Sequence, residues 1–188
     1  MQLTCLGDSL TWGPGVARSM TWVRRLAAAT GWDVRNAGMA GDTTGGMLAR
    51  LRSEIVERHP DAIVLLGGSN DVFASGDDKH ARENLFAMVH QCFAAGVKPI
   101  VGIPIPPCAA VISGPWVGWT DFDAAAATLA DYAVWLRRLA KMYELPVLGF
   151  DTLFTPPDPA LYLDGLHPTA EGHRRMAELA LEALRQLH

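Results

Sequence analysis

The chain has 188 residues, 49% hydrophobic and 19% charged, with a formal net charge of −4. That length fits a single domain over residues 1–188 with one core. The charge content lacks the basic patch of a nucleic-acid partner, and no run reaches the ~18 apolar residues of a membrane span.

The opening residues, MQLTCLGDS, have neither the basic nor the long apolar region of a signal peptide, so a cytoplasmic location is expected. Cys5, Cys92 and Cys108 are odd in number and far apart. They are expected to be buried small hydrophobes rather than a disulfide framework or zinc site.

In chain order, the apolar run Gln2 to Leu6 reads as a strand. A helix follows, with Trp22, Val23, Leu26 and Ala29 on one face and Gly31 at its close. Residues 32–38 form the weakest strand pattern. The next helix, stopped at Pro60, turns Met47, Leu48, Leu51, Ile55 and Val56 inward. Residues 61–68 read as a buried strand, and residues 79–96 as a helix with Leu85, Met88, Val89, Cys92 and Phe93 in its stripe. A strand over 97–105, a long helix over 121–145, a short strand over 146–150 and a closing helix over 169–187 complete the chain. Five largely uninterrupted apolar strands alternating with helices describe a parallel sheet covered on both faces, an α/β/α sandwich. Two connections, residues 106–120 and 151–168, are longer than such a fold needs, and loops of that length are usually functional or disordered.

Polar clusters fall where strands end. Ser9 follows the first strand, Asn36 to Thr43 the second, and Gly67 to Asp71 the third. DGLHP, Asp164 to Pro168, returns past the same edge before the last helix. The C-terminal edge of an open parallel sheet is where ligands bind. That crevice collects what acyl transfer requires: a serine, a histidine to take its proton, and a carboxylate, Asp164, to orient the imidazole of His167. Candidate oxyanion donors are the backbone N–H groups of Ser9 and Gly38 and the amide of Asn70. Asp8 and Asp71 are expected to brace loops. His59, His80, His90, His173 and His188 are expected at the surface. Trp116 and Trp119 are candidate apolar walls for substrate.

Four motifs in order, GDSL at Gly7 to Leu10, the glycine of NAGMAGDT, GSND at Gly68 to Asp71 and DGLHP, resemble those of the SGNH, or GDSL, hydrolases. The bacterial thioesterase I/lysophospholipase-like and arylesterase-like members are the most similar in look. The resemblance implies a flavodoxin-like strand order of 2-1-3-4-5, a Ser9–His167–Asp164 triad and an oxyanion hole of Ser9, Gly38 and Asn70. It also implies hydrolysis of a small-molecule carboxylic ester or thioester with no cofactor or metal, no nucleic acid and no stable membrane association. The alternatives are a carbohydrate O-deacetylase and, from another class, a non-catalytic flavodoxin-like binding module.

Overall fold

The computed structural model describes residues 1–185. His188 and the last two residues of the expected closing helix lie outside the described residues. Strands β1 (Gln2–Gly7), β2 (Asp33–Gly38), β3 (Ala62–Leu66), β4 (Lys98–Ile103) and β5 (Val147–Gly149) form one sheet. All pairings are parallel and the order is β2-β1-β3-β4-β5, as the motifs implied.

Alternation along the strands splits the core. Leu6, Ile63, Leu65, Val101 and Ile103 face α3 (Thr44–Arg58), α4 (Ser69–Ser75), α5 (Lys79–Ala94) and α6 (Phe122–Met142). Leu3, Cys5, Val64, Leu66 and Ile100 face α2 (Trp22–Thr30) and α7 (Ala170–Leu184). Because both faces are covered, each strand tolerates apolar residues at successive positions. All three cysteines are free and buried.

Local signals act as their chemistry requires. Thr21 caps α2 by accepting from the Arg24 N–H, and Gly31 ends it in the left-handed conformation. Trp22, fully buried, donates its indole N–H to the Leu10 carbonyl at 3.0 Å. Truncating such a side chain costs roughly 3 to 5 kcal/mol. α3 ends at Arg58, capped by His59 at φ 46 immediately before Pro60, as the sequence leads one to expect.

Four expectations of burial are corrected. Val56 is 55% exposed because the buried stripe of α3 runs through Thr44, Met47, Leu51 and Glu54, the last paired with Arg35 at 2.6 Å. Phe93 is 43% exposed and packs against His90 and Tyr143 at the surface, and Ala29 points outward. His173 is fully buried rather than at the surface. It lies on the inner face of α7 with Met176, Ala177 and Ala180, and its Nδ1 accepts the Trp22 N–H at 3.3 Å. None of the described helices is long and apolar enough to cross a membrane.

Candidate active site

β1 stops at Gly7 and the chain turns at once into a four-residue helix, α1 (Ser9–Trp12), that the sequence pattern did not show. Gly7 permits this tight turn, since a Cβ there would stand 2.3 Å from Thr11 Oγ1 and 2.5 Å from the Leu66 carbonyl. Asp8 caps α1, its Oδ1 accepting the Leu10 N–H at 2.8 Å, and Gly13 ends it at φ 81. Ser9 is therefore the first residue of a helix anchored to the central region of the sheet.

Across the crevice, Ser9 Oγ lies 3.0 Å from His167 Nε2, and His167 Nδ1 lies 2.8 Å from Asp164 Oδ2. In the Nδ1–H tautomer the imidazole donates to the carboxylate and is free to accept the serine proton. Asp164 Oδ1 accepts the backbone N–H groups of Leu166 and His167 at 3.0 and 2.9 Å. Its Oδ2 also accepts the Trp116 indole N–H at 2.8 Å. Burial pushes the Asp164 pKa up, but these hydrogen bonds outweigh it and hold the carboxyl below its ordinary range. The structure thus brings together Ser9, Asp164 and His167 from opposite ends of the chain.

The Gly38 expectation is corrected. Its N–H is already spent on Asn36 Oδ1 at 2.9 Å, and a Cβ there would stand 2.3 Å from the Trp12 backbone nitrogen. Gly38 is a packing glycine under α1. The glycine that lines the cleft beside Ser9 and Asn70 is Gly41, at φ 78. Its N–H has no acceptor among the described residues. Both glycines stand in NAGMAGDT, and only the path of the backbone separates their roles.

Asn70, in α4, uses one amide N–H to hold the Asp42 carbonyl at 2.8 Å, which leaves its second N–H for a ligand. Asp71 braces the loops as expected, accepting from the Thr44 N–H at 2.9 Å and the Thr44 hydroxyl at 2.6 Å. Arg50, which sequence reading passed over, spans three partners. It donates to Asp42 Oδ2 at 2.8 Å, the Ala37 carbonyl at 2.7 Å and the Gly7 carbonyl at 2.9 Å. Beneath the site, burial pushes the Asp8 carboxyl up to about 7, and the charges of Asp42 and Asp71 add to that against the Leu10 N–H. Asp8 Oδ2 has no hydrogen-bond partner among the described residues.

These groups open onto a cleft of about 440 Å³. Its walls include Phe73, Ile105, Trp116, Trp119 and Leu166. Trp116 and Trp119 pack together at 5.4 Å, and Trp119 meets the edge of Phe73 at 5.8 Å. Both tryptophans flagged in the sequence therefore line the cleft. A serine hydroxyl hydrogen-bonded to an oriented imidazole, with N–H groups and an apolar wall in the same cleft, can bind an acyl or aryl group and hold charge on an oxygen.

A model of the GDSL-like lipase/acylhydrolase family matches residues 5–175. The chain is 35% identical over 111 residues to the esterase TesA of Pseudomonas aeruginosa, covering 56% of this chain and 55% of that protein. The match therefore spans about half the length of that relative. It is 27% identical over 191 residues to the arylesterase of Vibrio mimicus, covering 97% of this chain and 88% of that one. Among solved structures, the lipase/acylhydrolase of Enterococcus faecalis superposes with a TM-score of 0.78 at 26% identity, covering 99% of this chain and 96% of the other. A G-D-S-L family member from Veillonella parvula superposes at 0.85 and 23% identity, with 99% of each chain covered. This last shows a shared fold.

Proposed function

The chain belongs to the GDSL-like lipase/acylhydrolase family, and from that premise we propose that it hydrolyses carboxylic esters, with thioesters as related substrates, through an acyl-Ser9 intermediate. The observation that carries this reading is the hydrogen-bonded line from Ser9 Oγ through His167 to Asp164, at 3.0 and 2.8 Å, on the wall of an apolar cleft.

His167 Nε2 takes the Ser9 proton as Oγ bonds to the acyl carbon. The negative oxygen of the tetrahedral intermediate is held by the N–H groups of Ser9 and Gly41 and by the free amide N–H of Asn70. As the intermediate collapses, the bond to the leaving oxygen or sulfur breaks, and the proton on His167 goes to the departing alcohol or thiol. A water molecule, deprotonated by His167, then attacks the acyl carbon and releases the acid. Asp164 fixes the tautomer and stabilises the imidazolium at both steps. Each oxyanion donor contributes roughly 3 to 4 kcal/mol of transition-state stabilisation, by the subtilisin precedent.

The apolar walls favour acyl or aryl groups over the sugar of an O-deacetylase substrate, which needs exposed polar partners. The test is mass spectrometry after a fluorophosphonate probe, with Ser9→Ala and His167→Ala alongside, then p-nitrophenyl esters of increasing chain length. Labelling at Ser9 that both variants lose is expected, with kcat down by roughly three orders of magnitude or more. A folded protein that takes no label would overturn the reading in favour of a non-catalytic binding module.

A further inference from the structure

The loop over residues 106–120 is fastened to the segment that carries the acid and the base. The Cys108 N–H donates to the Gly165 carbonyl at 2.7 Å, and the Ser113 N–H to the Asp164 carbonyl at 3.2 Å. The Tyr162 hydroxyl donates to the Pro106 carbonyl at 2.7 Å. Gly165 stands at φ 90, and a Cβ on it would press within 2.9 Å of the Ile112 backbone. Loop and DGLHP segment are thus packed flush, and the indole of Trp116 is what the loop delivers to the site.

The Asp164 carboxylate receives four donors, two on each oxygen. A carboxylate offers about four acceptor positions, so this one is filled. Three donors come from within three residues of Asp164. The fourth, Trp116 Nε1–H, comes from 48 residues earlier and shares Oδ2 with His167. The same indole meets the His167 ring at 5.8 Å and 60°, packs on Trp119 and faces the cleft. One side chain therefore touches the acid, the base and the space for substrate.

We propose that Trp116 is a positioning residue for the triad: its indole N–H fixes the Asp164 oxygen that orients His167, so the wall of the acyl cleft and the proton-transfer apparatus are one mechanical unit. This rests on the Ser9–His167–Asp164 reading above. Without the indole N–H, Oδ2 keeps only the imidazole, and the carboxylate that orients His167 is held less firmly. Serine activation then suffers in the step that forms the bond to Ser9, while space for substrate is nearly unchanged.

Trp116→Phe keeps a ring and removes the donor. The assay is the rate of Ser9 phosphonylation by a small fluorophosphonate, read as the limiting rate at saturation and the concentration giving half of it. Steady-state kinetics on p-nitrophenyl acetate accompany it. Loss of one hydrogen bond to a charged group is expected to lower the limiting rate and kcat roughly tenfold, with half-saturation and KM within about twofold of wild type. Val117→Ala, an exposed neighbour in the same loop, should leave the rates as they are. The opposite split, with KM or chain-length preference altered and limiting rate intact, makes Trp116 a passive wall and overturns the proposal. Wild-type protein that is neither labelled nor active overturns instead the reading beneath it.

Should Trp116→Phe fail to fold, the wild-type protein decides the matter by NMR of its 15N-indole groups. A Trp116 Nε1–H protected from solvent exchange, and shifting when Ser9 is phosphonylated, is expected. Exchange at the rate of free indole, with no shift, overturns the proposal.

Discussion

Acidification should cost this protein stability through one buried histidine. His173 sits in α7 with no exposed surface, its Nδ1 accepting the Trp22 N–H and its Nε2 without a partner among the described residues. Burial, reinforced by the charges of Arg25 and His167, pushes its pKa down from 6.5 to about 4. In the unfolded chain it protonates near its ordinary value, so between these limits the unfolded state binds the extra proton. Stability from this group is complete above pH 6.5 and is lost as pH falls toward 4, by about 2 kcal/mol at pH 5 and about 3 kcal/mol at pH 4. The comparison is urea unfolding of wild type and His173→Asn at pH 8, 6 and 5. Asparagine retains an acceptor and cannot charge. The variant is expected to be less stable throughout, because it underfills the site, and the deficit should shrink by about 2 kcal/mol between pH 8 and 5. A deficit constant with pH would refute the reasoning.

Asp8 acts in the opposite sense over an overlapping window. Its native pKa is raised to about 7, so the folded state keeps a proton the unfolded chain has shed, and stability falls as pH rises from about 4 to 7. Asp8→Asn should therefore gain on wild type at pH 8 relative to pH 4 in the same urea series, and an unchanged gap would count against a protonated carboxyl. Of the two glycines in NAGMAGDT, Gly38 should be the more damaging to replace: Gly38→Ala loses about 1 to 3 kcal/mol because its methyl group meets the Trp12 backbone. Gly41→Ala meets no atom within 4 Å and carries only the left-handed strain of about 1 to 2 kcal/mol. Urea midpoints in the reverse order would sink that distinction. Arg50→Lys cannot span Asp42, Ala37 and Gly7 together, so stability should drop by about 2 kcal/mol and kcat several-fold. Thermal unfolding and ester kinetics check both.

The strands were legible because apolar runs alternate with helical stripes, their order followed from the resemblance of the four motifs to a known family, and the polar clusters stood out by falling at one end of those runs. What escaped had physical reasons. α1 and α4 have four and seven residues, too few for a 3.6-residue period to declare itself. Gly38 and Gly41 differ only in where the backbone directs an N–H, which neither composition nor spacing encodes. Trp116 was visible as an aromatic near the crevice, but its bond to Asp164 depends on how the 106–120 loop folds back across 48 residues of chain. His173 was readable: it stands three and four residues before Met176 and Ala177, on the apolar stripe, and its polarity alone suggested the surface.

Ser9 and His167 meet across 158 positions of sequence, and the residues between them supply β2, β3, Asn70 and the tryptophan wall. No early fragment of the polypeptide can contain a working site. Local helices form in microseconds, whereas contacts of such separation wait on the closure of the longest loops. Recovery of esterase turnover after dilution from urea should consequently lag the return of helical circular dichroism. The nucleophile then becomes a clock for the meeting of the two ends of the chain, and a protein whose ends have not found each other remains chemically silent.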